Sequence, residues 1–267
     1  MSISRRLLLT APLAPLVRPA AALAAPPERV PVSAIPSNRL ETGWWRARHE
    51  AKLAEIRGRR VDLVWLGDSI TQDWETDGPA DWARFAPVWQ HFYGDRNAVN
   101  LGFKGDNTGH LLWRMQNGEL SGIQPKAAII LIGANNMGRV HWSAPQTTAG
   151  IVAVVDEARR RLPGTRIILL SVLPSIRSKY VSRTTATVNQ DLAQHYGNGA
   201  VPGVAWLDVT RLFLKDGQPD RTLFFDDHLT PPDPPLHPTA QAQARLAEAI
   251  EPILAPIMGD RPRRQSP

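Results

Sequence analysis

Five short apolar runs recur along the chain, and each ends in a glycine, a proline or a polar turn. They cover residues 61–66, 98–101, 127–132, 167–172 and 204–207. Continuous apolar runs of this length are typical of strands that are buried on both faces, as in a parallel sheet covered by helices. The pattern therefore predicts five strands of one parallel sheet.

Apolar positions in the intervening segments repeat at three- and four-residue spacing, which predicts helices. These segments cover residues 41–57, 106–117, 144–162 and 182–196, and a last helix begins near Thr239. Alternating strands and helices predict a three-layer α/β/α sandwich in which the strand ends share one edge. The stretch 210–238 is irregular and contains six prolines. A loop of this length in a compact domain is more often functional than not.

The N-terminus has the pattern of a targeting segment. Arg5 and Arg6 precede an apolar run, and the small residues Ala22 and Ala24 frame a cleavage signal. The paired arginines resemble a twin-arginine signal, so we expect bacterial export to the periplasm or the medium. Arg18 and several prolines make the run too short and broken to span a bilayer. We predict a signal peptide over 1–24, an extended lead-in over 25–40, one domain over 41–258 and a disordered tail over 259–267.

Composition narrows the chemistry. The 267-residue chain is 43% hydrophobic and 21% charged and contains no cysteine, so disulfides, thiolate nucleophiles and cysteine-bound zinc are excluded. The net charge is +6. Two groups of arginines lie near the ends of the chain, within residues 5–18 and 261–264. No stripe of basic residues interleaved with aromatic residues runs through the middle of the sequence. We therefore do not expect nucleic acid as a partner. Nothing in the pattern predicts an oligomeric state.

Four turns at predicted strand ends or helix starts carry candidate chemistry. Ser69 follows Gly67 at a strand-to-helix corner, where free N–H groups favour a developing oxyanion. Gly105 lies in a glycine turn after the second strand, and Asn135 follows the third strand. His237 precedes the last helix and could act as a general base. Taken singly, each has an ordinary explanation, such as an N-cap serine, turn-forming residues or a structural histidine.

The four features together, in this order, resemble the SGNH (GDSL-like) hydrolases over roughly residues 41–258. The run from Asn100 to Leu120 is most similar to the branch that contains the catalytic subunits of platelet-activating-factor acetylhydrolase. The resemblance implies a five-stranded, flavodoxin-like fold and a serine esterase without a metal or organic cofactor. Ser69 would be the nucleophile, and His237 the general base. The Ser69 N–H, the Gly105 N–H and the Asn135 amide would form the oxyanion hole. Short-chain, acetyl-type esters on small molecules, lipids or glycans are the implied substrates.

The orienting acid departs from the family pattern, in which an aspartate stands three residues before the histidine. That position is Pro234 here, whereas Asp233 lies four residues before His237. We choose Asp233 as the orienting acid and keep Asp226 and Asp227 as alternatives.

A second histidine, His228, follows two aspartates but also lacks an acid three residues before it. We prefer His237 because Pro238 and Thr239 lead directly into the last helix, as the family arrangement requires.

Other protein classes are less consistent with the sequence. An ordinary α/β-hydrolase elbow needs a glycine two residues after the serine, where this chain has Thr71. Metallohydrolase and nucleotide-binding motifs are missing. The remaining alternative is a catalytically inactive SGNH fold that serves as a carbohydrate-binding or assembly module. The tryptophans near the candidate site, including Trp65, Trp74, Trp82 and Trp113, could line a sugar or acyl cleft or pack in the core.

Overall fold

A computed structural model describes residues 30–264, in which five parallel strands form one sheet. The strands are β1 Leu63–Gly67, β2 Ala98–Gly102, β3 Ala127–Leu131, β4 Arg166–Leu170 and β5 Val204–Leu207. Their order is β2-β1-β3-β4-β5. The chain therefore changes direction across the sheet between β1 and β3, and such switch points open a crevice at the carboxyl ends of the strands.

Helices cover both faces of this sheet. They are α1 Gly43–Ile56, α2 Ser69–Gln72, α3 Phe85–Tyr93, α4 Thr108–Arg114, α5 Ala134–Gly138, α6 Ala144–Arg161, α7 Lys179–Tyr196 and α8 Ala240–Met258. A small hairpin of β6 Leu214–Lys215 and β7 Gln218–Pro219 lies in the long irregular stretch. The predicted three-layer fold with a five-stranded parallel sheet is confirmed.

Alternation along each strand divides the core into two layers. Val64 and Leu66 of β1 belong to the cluster that includes residues of α4, α6 and α7, whereas Leu63 and Trp65 belong to the cluster with residues of α3 and α8. All four side chains are buried. A strand with apolar residues on both faces must be covered on both faces, and this explains why the runs are continuously apolar.

Helix α3 lies outside the helices that the sequence pattern predicts. Its large apolar residues do recur at helical spacing, at positions 85, 88, 89, 92 and 93. Pro87 lies in its first turn, where a missing N–H breaks no helical hydrogen bond. The helix forms because Phe92 and Tyr93 are buried against the sheet.

The lead-in is anchored along residues 30–40. A 3₁₀ turn spans Val32–Ala34, and the carbonyl of buried Ser33 accepts a hydrogen bond from Thr108 Oγ1 at 2.7 Å. The Ser37 N–H donates to the Gly109 carbonyl at 3.1 Å. These contacts attach the lead-in to α4 and bring Arg39 to the carboxyl edge of the sheet.

The predicted ends of the chain have different outcomes. The predicted signal peptide lies outside the described residues. The predicted disordered tail is wrong for residues 259–264, because the Arg263 guanidinium donates to the Phe92 carbonyl at 2.8 Å and its N–H donates to Glu251 at 2.9 Å. Within the described part of the chain, no helix has the length and apolar character needed to cross a membrane.

Most of the tryptophans near the site are packing residues. Trp65 and Trp74 are fully buried in the core. Trp82 is half-buried and stacks on Phe225 with ring centroids 5.0 Å apart. Trp113 packs against Trp45, with ring centroids 5.6 Å apart. The core interpretation therefore holds for Trp65 and Trp74.

Candidate active site

Ser69, His237 and Asp226 form a continuous hydrogen-bonded line. Ser69 begins α2 directly after β1, at the edge where the strands end. Its Oγ lies 2.9 Å from His237 Nε2, and His237 Nδ1 lies 2.7 Å from Asp226 Oδ1. This is the arrangement of nucleophile, general base and orienting acid found in serine hydrolases on several unrelated folds.

Asp226 is held in place by the backbone next to the histidine. Its second carboxylate oxygen accepts the N–H groups of Leu236 and His237, each at 2.6 Å. The side chain is buried, with 1% of the residue exposed. A carboxylate that accepts charge-assisted hydrogen bonds from fixed N–H groups has little freedom to rotate. Asp226 therefore fixes both the position and the orientation of the His237 ring.

The prediction of Asp233 as the orienting acid is wrong. The side chain of Asp233 is exposed. Its backbone N–H donates to the backbone carbonyl of Asp226 at 3.0 Å. The Phe225 N–H donates to the His237 carbonyl at 2.9 Å. This hydrogen bond holds the two ends of the loop between Phe225 and His237 together. The residues between them loop outward, which carries the side chain of Asp233 away from the histidine.

Asp227 and His228 contact residues outside the Ser69 site. Asp227 forms an ion pair with Arg221 on the surface. His228 is exposed, and its ring stacks on Trp82 with an interplanar angle of 8°. The structure therefore brings His237, and not His228, to Ser69.

The surroundings of His237 favour its protonated form. Burial by itself would lower the pKa of His237, but the hydrogen bond to Asp226 and the charges of Asp73, Asp226 and Asp68 outweigh burial and raise the pKa. The ring also stacks on Phe225 at 5.4 Å. A base with a raised pKa accepts the serine proton more readily but must be deprotonated to act.

Gly105 and Asn135, the other two predicted oxyanion-hole donors, lie in the segments that follow β2 and β3. Gly105 follows β2 with a φ of 79°, which favours glycine. Asn135 lies in the single turn of α5 after β3, and its Nδ2 donates to the Asp106 carbonyl at 2.9 Å. The same nitrogen lies 3.4 Å from Asp68 Oδ2, which is near the limit of a hydrogen bond. A substrate oxygen could take the N–H that makes this longer contact.

Two further carboxyl groups lie near Ser69, and their charge is suppressed. Burial raises the pKa of Asp68 to about 7, although the Ile70 N–H and His237 oppose this shift. Burial also raises the pKa of Asp73 to about 6, against the opposing charge of His237. Both groups can therefore carry a proton close to neutral pH.

A buried charge network lies next to the turn that carries Gly105. Arg114 is fully buried and donates to Asp106 Oδ2 at 2.8 Å and to Glu119. Its guanidinium also donates to the carbonyls of Leu101 at 3.1 Å and Gly67 at 3.2 Å. Arg114 therefore joins the ends of β1 and β2 to the turn that carries Gly105.

Sequence reasoning missed several of these groups. Asp68 and Asp106 each stand beside a predicted site residue, and that adjacency was the available signal. Arg114 is the last residue of α4, and the sequence pattern there is that of an ordinary helix. Asp73 lies one helical turn after Ser69. Among residues 30–264, no group of three histidine, aspartate or glutamate side chains is placed to hold a metal ion.

Comparison with known proteins agrees with this geometry. Residues 65–245 match the sequence profile of the GDSL-like lipase/acylhydrolase family. The chain therefore belongs to this family, whose members are carboxylic ester hydrolases.

Individual relatives carry names from the same family. A human platelet-activating factor acetylhydrolase IB subunit alpha1 is 33% identical over 132 residues, which are 49% of this chain and 52% of the relative. This chain thus spans about half the length of that relative. The alpha2 subunit from Gallus gallus is 26% identical over 83% of this chain and 88% of its own length. The structure of a carbohydrate esterase family 3 protein from Talaromyces cellulolyticus shares the fold, with a TM-score of 0.55, 16% identity, and coverage of 75% of this chain and 99% of that one.

Proposed function

We propose that the protein is a serine esterase that hydrolyses short-chain, acetyl-type carboxylic esters through an acyl-serine intermediate. The observation that carries the proposal is the line from Ser69 Oγ through the His237 ring to Asp226, with contacts of 2.9 Å and 2.7 Å. Each atom in this line has the partner that proton transfer from the serine requires.

The chemistry follows from these contacts. His237 Nε2 takes the Ser69 proton as Oγ attacks the ester carbonyl, and Asp226 stabilises the resulting imidazolium. The oxyanion is held by the N–H groups of Ser69 and Gly105 and by the Asn135 amide. Collapse breaks the ester C–O bond, and His237 returns the proton to the leaving alcohol. Water, deprotonated by His237, then hydrolyses the acyl-serine and regenerates the free serine.

The proposed substrate class is supported by relatives and by fold. The curated relatives are named as acetylhydrolase subunits, and one structural neighbour is titled a carbohydrate esterase. Acetyl esters of lipid-like or sugar alcohols fit both names. Hydrolysis rates on p-nitrophenyl acetate, butyrate and octanoate test this class. Faster turnover of the octanoate would overturn the short-chain preference.

The central experiment measures p-nitrophenyl acetate hydrolysis by the purified wild type and by Ser69→Ala, His237→Ala and His228→Ala. We expect the first two variants to lose nearly all activity, because they remove the nucleophile and its base. His228→Ala is the matched control and should keep wild-type activity, since its ring lies on Trp82 away from Ser69. A fluorophosphonate probe should label the wild type and leave Ser69→Ala unlabelled. An inert wild type whose Ser69 resists the probe would overturn the esterase proposal.

An inactive carbohydrate-binding or assembly module has less support. That hypothesis depended on the irregular spacing between Asp233 and His237. Asp226 supplies the carboxylate that contacts His237, so the irregular spacing no longer argues against a working triad. An inactive module has no need of a nucleophile, a base and an acid within hydrogen-bond distance of one another.

We also propose that residues 1–24 direct export of the protein. The paired Arg5 and Arg6, the apolar run and the Ala22 to Ala24 site support this proposal. Expression in a bacterial host followed by cell fractionation and N-terminal sequencing would test it. Mature protein that begins near Ala25 outside the cytoplasm is expected, and Arg5→Lys with Arg6→Lys should block export if the twin-arginine route is used. Full-length protein retained in the cytoplasm would contradict the proposal.

A further inference from the structure

Three arginines from separate parts of the chain converge beside the oxyanion-hole residues. A Cβ placed on Gly105 would lie 3.0 Å from Arg139 Nη1 and 3.3 Å from Arg39 Nη1. Arg177 Nη2 donates to the carbonyl of Ala134 at 2.8 Å, immediately before Asn135. We call Arg39, Arg139 and Arg177 the arginine cluster.

The three side chains are held to different degrees. Arg39 donates to the Lys104 carbonyl at 2.9 Å and to Asp106 Oδ1 at 3.2 Å, and its guanidinium lies over the ring of Trp44. Among residues 30–264, no carboxylate lies within 4.0 Å of the charged nitrogens of Arg139 or Arg177. Arg139 is exposed and lies next to Gly105. Two of the three positive charges therefore lack an ion-pair partner in this part of the chain.

The nearby carboxyl groups do not neutralise the cluster. Asp106 is already shared between Arg114 and Arg39, and burial raises the pKa of Asp68 to about 7. Burial lowers the pKa of Arg177, and Arg139 adds to the decrease, although Asp68 and Asp226 oppose it. Holding like charges this close costs free energy that a bound anion would recover.

We propose that the arginine cluster binds a negatively charged group carried by the ester substrate, so that the enzyme prefers anionic short-chain esters. This inference rests on the proposed esterase function. Because two guanidinium groups flank Gly105, the anionic group would lie a few bonds from the carbonyl whose oxygen Gly105 and Asn135 hold. Guanidinium groups bind carboxylates and phosphates through paired hydrogen bonds.

The chemistry of the cluster suits an anionic group from either of two sources. The ring of Trp44 is 45% exposed beside Arg39, and such a flat face could carry a sugar ring next to the anion. The anion could be the carboxylate of an acetylated sugar acid, or the phosphate of an acetylated polyol phosphate. Both place a negative charge near an acetyl ester.

The test compares para-acetoxybenzoate with para-acetoxybenzamide, which differ mainly in charge. The full-length protein, Arg139→Gln and the control Arg159→Gln are assayed for kcat/KM on both esters. Arg159 is an exposed arginine on α6. We expect the wild type and Arg159→Gln to favour the carboxylate about tenfold after correction for uncatalysed hydrolysis, as a charge-assisted contact allows. Arg139→Gln should lose most of this preference and keep the wild-type kcat/KM for the uncharged ester, para-acetoxybenzamide. Added salt should weaken the wild-type preference.

The outcomes separate this inference from the proposed function. Equal wild-type kcat/KM on the two esters, or an equal loss on both in Arg139→Gln, would overturn the inference while leaving the esterase in place. Hydrolysis of neither ester would overturn the proposed function itself. A second arm compares acetylated glucuronate with acetylated glucose, and acetylglycerol phosphate with acetylglycerol. A preference in the first pair identifies a sugar acid, and one in the second pair identifies a phosphate ester. A preference in neither pair would count against the inference.

Discussion

The charges around His237 determine the pH at which Ser69 can be activated. Asp226 contacts the ring directly, while Asp73 and Asp68 act through space, and together they raise the pKa of His237 despite its burial. Since the general base must be neutral, activity is lost as the pH falls through the His237 pKa. The acidic limb of the kcat/KM profile should therefore lie at higher pH than for an unperturbed histidine.

Asp226→Asn tests this assignment of the orienting acid. The substitution keeps the shape but removes the charge, so kcat should fall by about 10⁴-fold, as for the equivalent substitution in a serine protease. The pKa of His237 should fall as well, which moves the acidic limb of the residual activity to lower pH. The measurement is a pH profile of kcat/KM on p-nitrophenyl acetate.

Asp233→Asn is the matched control for that experiment. Asp233 is exposed, so this variant should match the wild type within about twofold. A severe loss in Asp233→Asn combined with a mild one in Asp226→Asn would return the acid role to Asp233.

Asp68 links the site to stability. Its pKa rises from 3.8 to about 7 on folding because of burial, so the folded state binds more protons than the unfolded state between these values. Its contribution to stability is therefore full below about pH 4 and is lost as the pH rises through about 7.

Asp68→Asn removes this titration while keeping an acceptor for the Ile70 N–H. The free energy of unfolding of the wild type, minus that of the variant, should decrease between pH 4 and pH 8 by up to about 4 kcal/mol, at about 1.4 kcal/mol per pKa unit. Urea denaturation at several pH values measures it. Parallel pH profiles for the two proteins would show that Asp68 titrates normally.

Residue-scale prediction from the sequence succeeds where a residue directly follows a strand. Ser69 and Asn135 come within a few residues of a recognisable apolar run, so the sheet edge fixes their neighbourhood. The partner of His237 depends on how the intervening loop returns, and no local pattern encodes that path. Proximity along the chain favours Asp233, whereas the folded loop brings Asp226 nearer in space.

Among the elements, the connection between β2 and α4 contains a network of buried charges. Arg114 is completely buried and contacts Asp106, Glu119 and the carbonyls that end β1 and β2. Its guanidinium also lies 3.9 Å from the centre of the Phe103 ring. The sequence pattern predicts the helix over 106–117 but not this role, because a buried arginine on a helix looks the same as a solvated one.

Arg114→Gln should therefore destabilise the protein. Without Arg114, the buried carboxylate of Asp106 keeps only Arg39 as an ion-pair partner, and that of Glu119 keeps only the contact with His49. Removing one member of such a buried network costs about 3–5 kcal/mol. Chemical denaturation measures the loss.

Arg160→Gln serves as the control, since the side chain of Arg160 is exposed and its partner Glu157 keeps a second ion pair with Arg161. The stability of this variant should stay close to that of the wild type. Equal stability of the two variants would mean that the buried network is not stabilising.

At the scale of the whole molecule, the strand order brings distant parts of the chain to one edge. Ser69 follows β1, Gly105 follows β2 and Asn135 follows β3, and these three strands are neighbours in the sheet. The sequence is sufficient to predict the fold class, because five doubly buried strands with intervening helices have few compact arrangements. The packing of the lead-in and of the C-terminal segment depends on side-chain contacts that no periodicity indicates.

The C-terminal segment, residues 259–264, packs against α8 and the residues before β2 through ionic contacts. Arg96, which precedes β2, donates to both oxygens of Glu251 on α8, at 2.6 Å and 2.9 Å, and to Asp260 Oδ1 at 2.7 Å. The Arg263 N–H donates to the same glutamate, and its guanidinium pairs with Asp95 at 2.6 Å. Residues 259–264 therefore fasten α8 to the start of β2.

Truncation after Met258 should consequently weaken the fold, although the sequence pattern predicts that the domain ends at that residue. The truncated chain loses Asp260 and Arg263, leaving Arg96 and Glu251 with only each other, and we expect a loss of about 1–3 kcal/mol in the free energy of unfolding. Urea denaturation of this chain and of one truncated after Arg264 provides the comparison. The longer chain should match the full-length protein because every contact described above is kept. Coincident unfolding curves for both truncations would show that residues 259–264 contribute nothing to stability.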